Sequence, residues 1–356
     1  MDRRCTIMNQ QPIAVIGTGS WGTALAMVLA DNGLDVKIWG RSKETIDEIN
    51  QYHRNERYIK NVELPENIVG HLDLKEALEG AETIILAVPT KAMREVLAQI
   101  QAVQAQALTI VHVSKGIEPE SLLRISEIIE DSMDPVNLKD IVVLSGPSHA
   151  EEVSLRQPTT VVAASKNPDS SIMVQNMFTN HYFRVYTNTD IVGVEIGGAL
   201  KNIIALAAGV ADGLGYGDNA KAALVTRGLS EISRLGSKMG ANPLTFSGLS
   251  GIGDLIVTCT SVHSRNWRAG NMLGKGMALE EVLDNMGMVV EGVRTTKAAK
   301  QLAEKLEVSM PIADALYDLL FNGVQAKEAV DRLMQRNKTH EMEDLVVLLE
   351  NKLIQE

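Results

Sequence analysis

The chain has 356 residues, 45 of them acidic and 34 basic, which leaves a net charge of −11. That length favours two packed domains. A chain of this size buries roughly 75% of the surface its unfolded form exposes, so no disulfide or metal staple is needed. The acidic balance, with aromatics at only 4%, argues against a surface built for nucleic acid or for anionic membrane.

The two cysteines, Cys5 and Cys259, lie far apart and form no metal-ligand spacing, so a reduced, cytoplasmic setting is expected. The opening MDRRCTIMNQQP carries charge but no apolar stretch of signal-peptide length. No window reaches 18 uninterrupted apolar residues, so membrane insertion is not expected.

In chain order, short runs rich in branched residues alternate with amphipathic stretches, the pattern of a parallel sheet wound with helices. Strands are predicted at 13–16, 36–39, 83–88, 108–113, 141–144, 160–164 and 184–186. Between them, helical segments include 24–30, 92–100, 121–129 and 168–178. Past about Asp190 the strand-like runs stop, and 194–210 and 221–239 have helical length without branched enrichment. The reading is therefore α/β with two domains: residues 1–189 doubly wound, and residues 190–356 all-α. The last thirteen residues, DLVVLLENKLIQE, read as a terminal amphipathic helix or a packing tail.

The first motif falls directly after the first strand. Gly17-Thr18-Gly19-Ser20-Trp21-Gly22 is a G-x-G-x-x-G that precedes the helical run TALAMVLA. Gly17 permits the tight turn, Gly19 lets backbone approach a pyrophosphate, and Gly22 lets helix pack on strand. Such a turn can exist without a ligand. Here the strand at 36–39 completes a βαβ unit within about thirty residues, which supports dinucleotide binding and a Rossmann-type domain. Where an NAD site would place an acid, at the tip of the second strand, the chain has Gly40-Arg41-Ser42. A guanidinium there pairs with a 2′-phosphate, so NADP(H) is expected to be accepted and preferred, unless Arg41 is merely a surface charge.

In the apolar segment 194–210, Glu195 and Asn202 share one helical face, while Lys201 lies about 120° from Glu195. Its own face, with Val194, Gly197, Gly198, Ile204, Ala205 and Ala208, is mostly small, and is read as room for a ligand beside a partly desolvated amine. Burial lowers a lysine pKa, which suits a proton acceptor in alcohol oxidation. The alternative is a lysine that snorkels to water.

An anion site is read from the glycine-rich run 248–254 and from Ser264-Arg265-Asn266, which opens the helical run WRAGNML. Ser264 is placed to cap that helix while Arg265 and the first N–H groups hold a phosphate. Asp254 has two readings: an N-cap for 255–259, or a partner that orients Lys201 or a substrate hydroxyl. Two further strand ends carry candidates, Ser114-Lys115-Gly116 and Ser145-Gly146-Pro147-Ser148, since ligands of open α/β sheets collect there. Lys115 alone reads equally as a solvated charge.

Taken together, GTGSWGTALA, LAVPT, VSKGIE, LSGPSHAEEV, GGALKNIIALAAGVADGLG, GLSGIGDLIVTCTSVHSRN and VVEGV resemble the bacterial-type NAD(P)-dependent glycerol-3-phosphate dehydrogenase family over residues 12–335. The resemblance implies reversible reduction of dihydroxyacetone phosphate to sn-glycerol 3-phosphate with NADPH or NADH, supplying glycerophospholipid synthesis. It also implies that Lys201 is the proton acceptor and that Lys115, Asp254, Ser264, Arg265 and Asn266 hold the substrate. The cofactor would meet Ser20, Trp21, Arg41, Lys115, Gly146, Ser148, Ala150, Arg265, Val289 and Glu291. His149 departs from the aromatic residue common at its position in the family, which bears on packing near the cofactor and not on the reaction class. The seven histidines form no metal-ligand spacing, and the hydride chemistry calls for no metal.

Two rival readings remain: a two-domain dehydrogenase acting on a 3-hydroxy acid or sugar acid, and a non-catalytic dinucleotide sensor. The sequence leaves a homodimer open, because the helix face at Gly197 and Gly198 suits a subunit contact as well as a domain contact.

Overall fold

The computed structural model describes residues 11–104, 106–287, 289–338 and 341. Cys5 and the segment 344–356 lie outside the described residues.

The first unit is built on β1 (Ile13–Ile16), α1 (Ser20–Asp31), β2 (Val36–Trp39), α2 (Lys43–Tyr52), β3 (Ile68–His71), α3 (Leu74–Leu78), β4 (Thr83–Leu86), α4 (Met93–Val103) and β5 (Leu108–His112). Then follow α5 (Ile125–Ser132), β6 (Leu138–Ser145), α6 (Ala150–Ser154), β7 (Thr159–Ala164), α7 (Pro168–Phe178) and β8 (Phe183–Asn188). The strands form one sheet in the order β3-β2-β1-β4-β5-β6-β7-β8. β1 pairs in parallel with both β2 and β4, so the chain reverses direction across the sheet at β1. This is the doubly wound topology. All four residues of β1 are buried, as are all four of β4, which is why these strands read as unbroken apolar runs and not as alternating ones.

The helical unit continues with α8 (Ile191–Gly213), α9 (Asp218–Lys238), α10 (Asp254–Thr260), α11 (Arg265–Gly274), α12 (Leu279–Met286), α13 (Glu291–Leu306), α14 (Pro311–Phe321) and α15 (Ala326–Met334). Asp190 caps α8 by accepting the Gly193 N–H at 2.9 Å. The helix is apolar nearly all round, and accordingly it is the buried axis of this unit. Its length and mean hydropathy of 1.6 would suit a bilayer, but here its surroundings are the other helices.

The chain divides by internal contact into a unit of residues up to 114 with 128–144 and 148–187, and a unit of 115–127, 145–147 and the residues from 188 onward. The single boundary read near residue 189 does not anticipate the two short segments grouped with the helices. Their attachment depends on side chains distant in sequence.

Two local expectations differ from the structure. β3 carries no recognisable strand signal because it contains Gly70 and exposes Val69. The helix expected over 121–129 begins at Ile125 instead. The residues before it turn back on themselves: Ile117 bridges Arg124, Glu118 N–H donates to Leu123 O, and Glu120 and Leu122 take positive φ.

Small residues let α8 and α11 touch backbone to backbone. A Cβ added at Gly270 would lie 2.0 Å from the Leu206 carbonyl oxygen, and one at Gly209 would lie 2.1 Å from that of Trp267. Relief requires the helices to part. Gly270→Ala should therefore cost about 1–3 kcal/mol of unfolding free energy, measured by chemical denaturation; an unchanged midpoint would contradict this packing.

Candidate active site

The glycine turn has the shape a dinucleotide needs. Gly17 sits at φ +123°, and a Cβ there would lie 2.6 Å from the Ala87 carbonyl oxygen. A Cβ at Gly22 would meet the Gly17 oxygen at 2.1 Å, so α1 could not pack on β1 with any larger residue. Gly19 is different: among the described residues, nothing lies within 4 Å of its added Cβ. Gly19 is also the N-cap of α1 and supplies no side-chain cap, leaving the helix N-terminus without that internal partner. Open space beside first-turn N–H groups is what a pyrophosphate occupies, so these residues fit the cofactor.

Around this turn, Ser20 Oγ donates to the Tyr58 carbonyl at 3.1 Å, and Trp21 is half-buried against the core. Arg41, at the tip of β2, lies over the Trp39 ring and pairs with Glu95 of α4 at 2.9 Å. His149 is the N-cap of α6 and leads into Ala150, following Ser148.

The titratable cluster of the helical unit centres on one carboxylate. Asp254 Oδ1 accepts a short hydrogen bond from Lys201 Nζ, and Asp254 Oδ2 accepts one from Lys115 Nζ at 2.6 Å. Lys115 Nζ also reaches the Gly146 carbonyl at 3.3 Å. Thr258, one turn along α10, donates to the Asp254 carbonyl at 2.6 Å and accepts from Lys201 Nζ at 2.8 Å. The Asp254 side chain is 1% exposed and that of Lys201 is 8% exposed. Burial pushes the Lys201 ammonium down to about 7; Asp254 opposes the shift, and the neighbouring Lys115 adds to it. Burial alone would raise the Asp254 carboxyl, but Lys115 and Lys201 hold it below the usual carboxylate range.

The local sequence explains how these groups meet. A Cβ at Gly197 would lie 2.6 Å from the Ser250 carbonyl oxygen, and one at Gly198 would lie 3.1 Å from Ser145 Oγ and 3.6 Å from the Lys115 side chain. The small face read as room for a ligand is thus filled by the protein's own loops. Those loops bring Lys115 and α10 onto the turn that carries Lys201. Of the two readings of Asp254, the capping one fails: Gly253 is the N-cap of α10, and the carboxylate faces the two ammonium groups.

At α11, Ser264 is the N-cap, accepting the Trp267 N–H at 3.2 Å. The next residue, Arg265, is exposed, with Nη1 3.4 Å from the Val289 carbonyl. Asn266 is buried; its amide donates to Asn202 at 2.9 Å and accepts the Gly292 N–H at 2.9 Å. Because Asn202 follows Lys201 on α8, this bond fixes the N-terminus of α11 beside the lysine's own turn. Glu291 opens α13, and Val289 is exposed just before it.

Sequence reasoning missed two partners. Thr258 was signalled by its i+4 spacing from Asp254, which puts both on one helix face. Arg124 was signalled only indirectly, by the isolated acid Glu195 inside an apolar helix. Arg124 forms a short ion pair with Glu195, whose carboxylate also accepts Ser126 N–H and Oγ–H at 2.7 Å each.

Models of the NAD-dependent glycerol-3-phosphate dehydrogenase N-terminus and C-terminus match residues 12–171 and 190–331. The glycerol-3-phosphate dehydrogenase [NAD(P)+] of Bacillus velezensis is 66% identical over 341 residues, 96% of this chain and 99% of that one. Its counterpart from Bacillus subtilis is 65% identical over the same shares. The crystal structure of a glycerol-3-phosphate dehydrogenase from Coxiella burnetii superposes with a TM-score of 0.87 at 38% identity, covering 92% of this chain and 99% of that one.

Removing Arg124 leaves Glu195 charged in an apolar interior. Arg124→Met is expected to lower unfolding free energy by about 3–5 kcal/mol; a loss below about 1 kcal/mol in chemical denaturation would show that the pair does not hold the 115–127 segment to α8.

Proposed function

The chain belongs to the NAD-dependent glycerol-3-phosphate dehydrogenase family, and from that premise we propose that it reduces dihydroxyacetone phosphate reversibly to sn-glycerol 3-phosphate, with Lys201 moving the proton. Family membership sets aside the readings as a hydroxy-acid dehydrogenase or a cofactor sensor. The product serves glycerophospholipid synthesis. The wide separation of the two cysteines and the free, buried Cys259 support a cytoplasmic setting.

The observation that carries the role of Lys201 is its buried amine, held by Asp254 and Thr258 and facing a second ammonium across the same carboxylate. Gly17, Gly19, Gly22 and the first N–H groups of α1 would hold NADPH or NADH, which would supply the hydride that reduction of the triose carbonyl needs. Lys201 gives its proton to the C2 oxygen as that oxygen gains negative charge, and takes it back in the reverse direction. The carboxylate and hydroxyl fix where Nζ points, so the proton is delivered to one atom. Lys115 adds positive charge that favours the developing alkoxide and disfavours a permanently charged Lys201.

The phosphate falls to Arg265 and the first N–H groups of α11, an end that Ser264 shapes and Asn266 anchors to Asn202. Such an anchor, remote from the reacting carbon, serves to position the substrate. Ser20, Trp21, Ser148, Ala150, Gly146, Val289 and Glu291 are proposed cofactor contacts on the resemblance alone.

The sign of the pH dependence follows from the lowered lysine. Reduction needs the protonated amine, so its kcat/KM falls as pH rises through about 7. Oxidation needs the neutral amine, so its kcat/KM rises through the same range and levels above it. Steady-state rates in both directions from pH 5.5 to 9.5 check this, with Lys201→Ala as control. The variant should lose about 10³-fold in kcat while NADPH still binds by fluorescence titration. Near-normal turnover in a folded variant, or two limbs with the same sign, would contradict the assignment.

A further inference from the structure

The tip of β2 holds an ion pair that the proton chemistry does not use. In a doubly wound sheet that binds NAD, an acid at this tip accepts the ribose hydroxyl. Here the tip is Trp39-Gly40-Arg41-Ser42, and the acid comes instead from the first turn of α4. Glu95 Oε1 stands 2.9 Å from Arg41 Nη2. We propose that Arg41 and Glu95 together read the ribose 2′ position: Arg41 takes the phosphate of NADP(H), and Glu95 takes the hydroxyl of NAD(H). The inference rests on the reading that the glycine turn holds the dinucleotide, and it deepens that reading.

Four observations support it. The tip lies against the glycine turn, since a Cβ at Gly40 would meet Thr18 side-chain atoms at 2.6 Å. Both members are open to a ligand, at 54% and 58% side-chain exposure. Ion pairs so exposed hold weakly, so a 2′-phosphate can draw the guanidinium away. Each partner also has a second support: Arg41 lies over the Trp39 ring at 5.8 Å, and Glu95 accepts from Gln99 Nε2 at 3.2 Å. Lastly, Ser42 caps α2 through the Thr45 N–H, which sets the positive end of a helix next to Arg41.

The two coenzymes then meet the pair differently. With a 2′-hydroxyl, Arg41 stays on Glu95 while the carboxylate accepts a hydrogen bond from the hydroxyl. With a 2′-phosphate, Arg41 turns to the phosphate, and Glu95 becomes a nearby like charge that weakens binding. One surface pair thereby tolerates both coenzymes, at some loss of affinity for each.

Equilibrium fluorescence titration of NADPH and NADH against the wild type, Glu95→Gln and Arg41→Met tests this without turnover. For Glu95→Gln, the ratio of dissociation constants should move about tenfold toward NADPH, the scale of one charge-assisted hydrogen bond. For Arg41→Met it should move about tenfold toward NADH. Glu95→Asp should lie between Glu95→Gln and the wild type. Both side chains are exposed, so circular dichroism should report an unchanged fold. If Glu95→Gln leaves the ratio within twofold while Arg41→Met shifts it, Arg41 acts alone and the paired reading is overturned, with the coenzyme site intact. If neither variant shifts the ratio, the 2′ position is read elsewhere and the placement of Arg41 falls as well.

Discussion

A single buried carboxylate organises the chemistry of the helical unit. Asp254 receives two ammonium groups on its two oxygens, so the cluster carries one more positive charge than negative when both lysines are protonated. In an interior this dry, the excess is resolved most readily at Lys201, the more buried of the two amines. The same carboxylate prevents the amine from losing its proton outright. A lysine with so balanced a preference can give and accept a proton near neutrality, as a reversible carbonyl reduction requires. A lone buried lysine would stay neutral, and a lone ion pair would stay charged.

The rest of the helical unit can be understood as what holds this arrangement still. Glycines 197 and 198 on α8 admit the 248–253 loop and the 145–147 segment at distances no side chain would allow. Beyond them, Arg124 and Ser126 converge on Glu195, six residues before Lys201, and fasten the hairpin that carries Lys115. A buried ion pair of this kind adds little stability relative to apolar packing, so its value here is positional. Further along, the Asn202 to Asn266 bond fixes α11 and its N-terminus to the next residue of the same helix. Four segments distant in sequence thus depend on about two turns of α8, from Glu195 to Asn202.

Much of this was legible in the sequence, for reasons that vary by element. β1, the glycine turn and β2 were readable because strand, turn and helix signals follow one another without interruption. Lys201 was readable because a charge in an apolar helix needs an explanation. Edge strand β3 was not, since Gly70 and an exposed valine erase its pattern. The start of α5 was misread because the hairpin before it depends on the bridge from Ile117 to Arg124, which leaves no periodic trace. The small face of α8 was recognised as a place of close approach, but whether ligand or protein approaches is settled only by long-range packing. Asp254 stood between two roles for the same reason, and its pairing with two lysines resolved it.

The protonation state of the Lys201 amine is the quantity on which this account turns, and carbon-13 NMR of its Cε reads it directly. The resonance, assigned by comparison with Lys201→Arg, should titrate with a midpoint near 7. A midpoint at the ordinary lysine value of 10.5 would contradict the account.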